Sequence, residues 1–306
     1  AALFSKKFGL FVNSGSSANI IATMCAGVDQ GVEVVTPACT FSTTVAPLVQ
    51  RGAKVVFCDV MKDRYVPSVE QVMAAVTLST KVIIIPNLLG DKPDWRTLKQ
   101  KLIEAGREDI VLIEDSCDTI TPTPETDIAT TSFYASHIIT AGGGGGMVMF
   151  NSETLLERAK RIRDWGRVGN NSEIIDERFE HTSHADLPYD RKFVYCEFGY
   201  NFKSCEMNAA FGLVQLDKLD AFRAKRRDLF DLYINTLKDN QIAAKYYRFP
   251  TKIPDAVYLA LPLQCPHRME ILKYLEDNNV QTRVTMAGNI LRHQIYKDRF
   301  PEEAQK

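Results

Sequence analysis

The sequence predicts an α/β protein in which a mainly parallel sheet lies between helices and a smaller α+β unit follows at the C-terminus. Short β-branched runs alternate with helix-like stretches, an order that gives parallel strands covered on both faces. The chain of 306 residues is long enough for two domains. We therefore place a large domain at residues 1–215, and a linking helix with a small domain at residues 216–306.

The first third of the chain shows the clearest alternation. Strands are predicted at residues 32–35, 54–58, 81–86 and 109–113. Helices are predicted at residues 17–28, 43–50, 69–76 and 95–105. Each helix follows a strand or precedes one, as in a doubly wound sheet.

The middle of the chain is less regular. Shorter strands are predicted around residues 130–134 and 147–150, and a helix at 153–164 with Asn151 or Ser152 as its cap. Residues 168–189 are polar and form a long predicted loop. His181 and His184 lie in this loop, but their spacing matches no zinc site, so no metal site is predicted.

The C-terminal third begins with a long helical pattern over residues 204–237, which suits a bridge between the two domains. A strand at 258–263, a helix at 268–278 and a strand at 281–284 follow. These three elements predict the smaller domain.

Composition excludes several classes of protein. Lys+Arg 37 against Asp+Glu 38 gives a net charge of -1, which argues against binding to nucleic acid or to an anionic membrane. No apolar run approaches the roughly 18 residues of a membrane span. The N-terminus is too polar for a signal peptide and lacks an initiator Met, as in a trimmed chain. An odd number of cysteines, 7, indicates a reducing, cytoplasmic location without a disulfide framework.

Two glycine- or serine-rich segments invite a phosphate-binding interpretation. Residues 13–19 (NSGSSAN) open the first predicted helix, where free N–H groups and the helix dipole favour an anion. On its own, such a motif is more commonly a serine-rich cap without a ligand. Residues 142–146 are five consecutive glycines. They match neither a dinucleotide fingerprint nor a P-loop, so they predict a tight turn or a close approach of the backbone to a ligand.

Residues 112–118 (LIEDSCD) end a predicted buried strand, which is where ligands of open α/β sheets bind. A carboxylate there can keep a pyridine nitrogen protonated, as a pyridoxal-type cofactor requires. The same carboxylate could equally cap the next element. The motif alone leaves both interpretations open.

A third motif, residues 131–137 (TSFYASH), precedes the glycines and makes the set specific. In chain order, SGSSAN, EDSCD and SFYASH resemble the phosphate loop, cofactor aspartate and S-F-x-x-x-K segment of the DegT/DnrJ/EryC1/StrS sugar aminotransferases. Further matches are PACTF at 37–41, FGYNF at 198–202 and MNAA at 207–210. The resemblance implies the fold of the fold-type-I PLP-dependent transferases.

One position departs from the aminotransferases. His137 stands where they carry the Lys that forms a Schiff base with PLP, and imidazole cannot form that bond. A Lys-to-His exchange here marks the deoxysugar 3-dehydratases, which resemble this chain also at WGR (165–167) and AGNILR (287–292). The resemblance implies C3 dehydration of a nucleotide-linked 4-keto-6-deoxy sugar in deoxysugar or lipopolysaccharide biosynthesis, with His137 as the proton-transfer group.

The resemblance also implies how PMP or PLP is held without a covalent bond. It assigns the phosphate to Ser16, Ser17 and Ala18, the ring nitrogen to Asp115 and the stacking face to Phe41. Asp118 and Ser132, from the same segments, are predicted to contact the cofactor as well. Asn201 would reach the phosphate of a neighbouring subunit, so a homodimer is expected, and glutamate is the expected amine donor.

Three questions stay open at this level. The stretch after WGR holds no Cys from residue 168 to 195, so a [2Fe–2S] cluster, which certain relatives carry, is not expected. The nucleotide could be CDP or GDP. An aminotransferase working through free PMP and an inactive scaffold on the same fold are the alternative functions.

Overall fold

The computed structural model describes residues 1–169, 173–179, 182–184, 187–254 and 256–305. His181 lies outside these residues. The strands are β1 Phe8–Val12, β2 Glu33–Pro37, β3 Lys54–Cys58, β4 Thr80–Pro86, β5 Val111–Asp115, β6 Ile128–Ser132, β7 Gly146–Phe150, β8 Thr182–His184 and β9 Leu187–Pro188.

Seven strands form one sheet in the order β1-β7-β6-β5-β4-β2-β3. The neighbours from β3 across to β6 are parallel, whereas β7 runs antiparallel to both β6 and β1. This confirms the mainly parallel sheet. Strand β1 was not predicted; it is a short edge strand containing Gly9, which weakens any strand signal in the sequence.

The helices are α1 Gly15–Cys25, α2 Ser42–Gln50, α3 Val69–Ala75, α4 Trp95–Glu104, α5 Glu153–Arg163, α6 Ile175–Arg178, α7 Glu206–Leu216, α8 Leu219–Asp239, α9 Gln241–Tyr246, α10 Arg268–Asp277 and α11 Gln294–Arg299. Ser152 caps α5 by accepting the Leu155 N–H. Among the described residues, no helix has both the length and the apolar character needed to cross a bilayer.

The central strands are buried on both faces, and their side chains alternate between two cores. Val34 and Ile84 pack with α1 on one side of the sheet. Ile83 and Leu112 pack with Trp95 of α4 on the other. Because both layers are apolar, β2, β4 and β5 read in sequence as continuous hydrophobic runs.

The C-terminal part differs from its prediction. The pattern over residues 204–237 forms two helices, α7 and α8, which break at Asp217 and Lys218. The predicted strands at 258–263 and 281–284 are wrong, since in the described part of the chain these segments have no partner strand. One isolated pairing, Arg248 with Gln264, is formed there instead. Tyr258 packs on Phe230 of α8, with ring centroids 4.0 Å apart.

Candidate active site

The chemically active side chains lie at the carboxyl edge of the parallel sheet. Asp115 is the last residue of β5 and Ser132 the last of β6. Because parallel strands end at the same edge, the turns that carry Asp118 and His137 also emerge there. The fold thus brings the ends of β5 and β6, and the turns that follow them, to one place.

The N-terminus of α1 faces this edge. Ser14 is its cap and accepts the Ser17 N–H at 3.1 Å through its side chain and the Ala18 N–H through its carbonyl. The Ser17 hydroxyl donates to Asn13 Oδ1 at 2.6 Å. The Ser16 N–H is in the first turn of α1, where N–H groups have no acceptor within the helix. The Ser16 hydroxyl donates to Thr43 Oγ1 at 3.0 Å. The methyl group of Ala18 lies in the apolar core.

Close packing explains two glycines at this end of α1. A Cβ on Gly15 would stand 2.7 Å from Ser132 Cβ and 2.8 Å from Cys117 Sγ. A Cβ on Gly146 would stand 2.3 Å from the Ser14 carbonyl carbon. The glycine run is therefore a tight turn into β7 whose last residue packs directly against the α1 cap.

Asp115 is buried and firmly oriented. Its Oδ2 accepts one hydrogen bond from Asn19 Nδ2 and another from Thr44 Oγ1, both 2.8 Å long. Thr130 Oγ1 donates in turn to Asn19 Oδ1 at 2.6 Å. Oδ1 accepts only a longer bond, 3.3 Å, from the Cys117 N–H. One carboxylate oxygen is thus fully engaged, and the other has capacity for a further donor.

Asp118 and His137 form the second pair of the site. His137 Nε2 lies 3.8 Å from Asp118 Oδ1, and Asp118 Oδ2 accepts the Leu89 N–H at 2.8 Å. Burial, together with the charge of Asp115, raises the pKa of Asp118 to about 7. Burial lowers the pKa of His137. His137 Nδ1 is also buried and has no hydrogen-bond partner among the described residues.

Phe41 stands at the mouth of the site, at the N-cap position of α2, with 49% of its surface exposed. The loop before it is held by the AGNILR segment. Ala287 N–H donates to the Thr40 carbonyl, and Ile290 N–H to the Ala38 carbonyl. This segment supports the loop from outside the large sheet, although it lies some 250 residues later in the chain.

Asn201 is exposed and pairs through its backbone with Asp164. Beyond it, α7 buries none of its residues, although it is rich in apolar side chains. Asn208 of α7 donates to the Ala141 carbonyl at the glycine turn. The exposed apolar helix therefore lies directly beside the site.

These residues fit a pyridoxal-type cofactor. The site offers a buried carboxylate with spare acceptor capacity, a serine-rich helix N-terminus, an exposed aromatic ring and an imidazole nitrogen without a partner. It offers no lysine at position 137 for a covalent bond.

Residues 1–306 match the family model described as the DegT/DnrJ/EryC1/StrS aminotransferase family. The chain belongs to this family. This confirms the resemblance drawn from the three motifs and, with it, the predicted fold.

Named members of the family include dehydratases. A dTDP-4-dehydro-2,6-dideoxy-D-glucose 3-dehydratase of Saccharopolyspora spinosa is 31% identical over 338 residues, covering 96% of this chain and 69% of the relative. The lipopolysaccharide biosynthesis protein RfbH of Salmonella typhimurium is 32% identical over 329 residues, covering 96% and 74%. The solved structure of E coli GDP-4-keto-6-deoxy-D-mannose-3-dehydratase with bound hydrated PLP superposes with a TM-score of 0.83 at 26% identity, covering 98% and 79%.

Of the predicted site residues, Ala18 has its methyl group in the apolar core and its N–H bonded to the Ser14 carbonyl. The others separate into two groups. Ser16, Ser17, Asp115, Asp118, Ser132 and His137 come together at one edge of the sheet, with Phe41 at its mouth. Asn201 lies on the exposed surface beside α7. Sequence reasoning missed Thr44 and Thr130 and gave Asn19 no role of its own. Asn19 stands directly before the apolar pair Ile20-Ile21 in α1, and a polar side chain at such a position is a signal that could have pointed to it.

The cysteines are all unpaired. Burial and the negative charges of Asp115 and Asp118 raise the pKa of the Cys117 thiol well above its usual value, which opposes its use as a thiolate ligand. Within the described ranges, no group of three or more His, Cys, Asp or Glu side chains is arranged to hold a metal ion.

Proposed function

We propose that this chain is a PMP-dependent 3-dehydratase of a nucleotide-linked 4-keto-6-deoxy sugar. One observation carries the proposal: His137 occupies the turn after β6, beside Asp115 and Asp118, where the aminotransferases that the sequence resembles carry their Schiff-base Lys. The names of the dehydratase relatives support the same reaction.

Asp115 would hold the pyridine nitrogen of the cofactor. The bonds from Asn19 and Thr44 hold its Oδ2 in place, and Oδ1 is available for the ring N–H. Ser16 and the first turn of α1 would bind the phosphate, with Phe41 against the ring. When bound, PMP supplies an amine for the C4 ketone of the sugar and a ring that accepts electrons.

His137 would move the proton. Because burial lowers its pKa, the imidazole is neutral near neutral pH and can accept a proton from the carbon that bears the cofactor amine. It can then release that proton to the hydroxyl group leaving sugar C3. Without a lysine, no covalent bond competes with the substrate for the cofactor.

The active unit we propose is a homodimer. Met207, Leu213 and Val214 of α7 are largely exposed in the single chain, and Phe198 is 95% exposed close by. A contiguous apolar surface of this kind favours a protein contact. A second copy of the chain is the partner that also explains Asn201, which the family resemblance assigns to the neighbouring subunit. The unpaired thiols support a reducing, cytoplasmic location.

The proposal is tested by mass analysis of products after incubation with glutamate, PMP and dTDP-, GDP- or CDP-linked 4-keto-6-deoxy sugars. A dehydratase gives a sugar that is lighter by one oxygen atom and still carries the C4 ketone. A product with an amine at C4 would show an aminotransferase instead. An unchanged sugar in all three assays, with no bound cofactor, would show a scaffold.

A further inference from the structure

Outside the cofactor-binding role expected of it, Asp118 has an arrangement that the proposed mechanism does not use. Its side chain is 9% exposed, and one oxygen, Oδ1, is directed to His137 Nε2 at 3.8 Å. The other oxygen is fixed by the Leu89 N–H. The carboxyl group is therefore held beside the imidazole by a bond that does not involve the imidazole.

The anchor at Leu89 is an unusual piece of backbone. Leu89 is buried and has φ 59 and ψ 11, a left-handed conformation that a branched side chain rarely adopts. Its carbonyl accepts the Leu259 N–H at 2.8 Å, and the Gly90 Cα packs against the Val257 carbonyl so closely that a Cβ there would stand 2.2 Å from the oxygen. The contacts with residues 257 and 259 thus hold the turn in this conformation. In it, the Leu89 N–H donates to Asp118.

We propose that Asp118 is a positioning residue that acts through His137: its carboxylate stabilises the protonated imidazole by charge attraction and so strengthens His137 as a base. Opposite charges within about 4–6 Å favour the charged form of each partner. At 3.8 Å the pair is close enough for this effect, yet it lacks the short direct hydrogen bond that would immobilise the proton.

The other charged groups around the pair work in opposite directions. Asp115, at the end of β5, raises the proton affinity of both His137 and Asp118. Arg226 of α8 lowers the proton affinity of His137. Tyr134 packs edge-on against the imidazole, with ring centroids 6.1 Å apart. Burial raises the pKa of Asp118 and lowers that of His137, and both shifts favour the uncharged forms. The attraction between a carboxylate and an imidazolium acts against this effect of burial.

The decisive experiment is an NMR titration of the His137 ring in cofactor-free protein, with the signal assigned by its loss in His137→Asn. In Asp118→Asn, the His137 midpoint is expected to fall by about one pH unit, a tenfold loss of proton affinity. In Asp118→Glu, His137 is expected to retain most of its proton affinity. An unchanged midpoint in a folded Asp118→Asn protein would overturn the proposal.

Asp127→Asn is the matched control. Asp127 also accepts a backbone N–H at 2.8 Å, from Leu112, but it stands at the opposite end of β6 from the site. Its loss should leave the His137 titration unchanged. If Asp118→Asn does not fold, the wild-type titration decides: a second inflection in the His137 signal supports the pair, and a single inflection refutes it.

Activity gives an independent readout, which rests on the proposed function. In the PMP-loaded enzyme, Asp118→Asn should lower kcat about tenfold with little change in KM for the sugar, because the effect is on proton transfer. Since the titration uses cofactor-free protein, a shifted His137 midpoint without dehydratase activity would leave the pair intact and refute only the proposed function.

Discussion

The Thr44 hydroxyl donates a 2.8 Å hydrogen bond to Asp115 Oδ2, joining the first turn of α2 to the end of β5. Asn19 of α1 donates to the same oxygen. Two helices on separate segments of the chain therefore orient one carboxylate. This relationship fixes the direction in which the remaining oxygen, Oδ1, can accept a proton donor.

Thr44→Val should remove one of these bonds while keeping the shape of the side chain. We expect the free energy of unfolding to fall by about 1–2 kcal/mol and the affinity for PMP to fall several-fold, because the buried carboxylate loses one of the two donors to Oδ2. Chemical denaturation and a cofactor titration measure the two effects.

Thr23→Val is the control for this change. Thr23 is also fully buried in a helix, but its hydroxyl has no hydrogen-bond partner among the described residues. Its replacement should change stability by less than about 0.5 kcal/mol and leave PMP affinity alone. Equal effects of the two substitutions would show that the Asp115 bond is unimportant.

Asp118→Asn should make the cofactor-free protein more stable at high pH. The pKa of Asp118 is about 7 in the folded chain, well above its value when unfolded, so the folded state binds more protons between about pH 4 and pH 7. The stabilising contribution is complete below that window and is lost as pH rises through it. The variant should gain about 1–3 kcal/mol over wild type near pH 8, and much less near pH 5.

Thermal unfolding of both proteins across this range measures the difference. A gain that is the same at every pH would contradict the raised pKa of Asp118. A gain together with lost activity would show that the buried carboxyl group is retained for function at a cost in stability.

His137→Lys should allow PLP to be bound covalently. A lysine amine can condense with the cofactor aldehyde where imidazole cannot, so borohydride should fix the cofactor to this variant and not to wild type. We also expect activity to shift from dehydration towards transamination. Absence of a borohydride-stable adduct, with His137→Asn as the control, would argue that residue 137 is not aligned with the lysine of the aminotransferases.

Leu213→Glu should convert the proposed dimer into a monomer. Leu213 is 66% exposed on α7 in the single chain, and a carboxylate there would be buried without a partner in the proposed interface. Leu78, 92% exposed outside α7, offers the matched control Leu78→Glu, which should remain dimeric. Sedimentation distinguishes the two. A wild-type monomer with full activity would refute the assembly.

The sequence predicted the sheet better than the small domain for a physical reason. A buried parallel strand such as β4 is an apolar run that helices cover on both faces, so its signal is local. Residues 258–263 (YLALPL) are also mainly apolar. They form no strand, because pairing depends on a neighbour that the sequence does not specify locally.

Those residues of the site that belong to a recognisable sequence motif could be predicted. Asp115 and His137 were found in this way, and the structure brings their segments to one edge. The Leu89 N–H that fixes Asp118 could not be found, since it is a backbone donor in a left-handed leucine and carries no sequence signature. Thr44 was missed because a threonine in the first turn of a helix is ordinary.

The most direct test of the account is to measure free ammonia and 2-oxoglutarate during turnover of PMP-loaded protein with glutamate, without added iron or a reductase. In the proposed reaction, hydrolysis after dehydration releases the amine nitrogen of PMP as ammonia. The account therefore predicts one ammonia for each 2-oxoglutarate formed. If 2-oxoglutarate forms without ammonia, the amine has stayed on the sugar and the chain is an aminotransferase. Turnover that requires an iron–sulfur centre and an external reductant would also contradict the account.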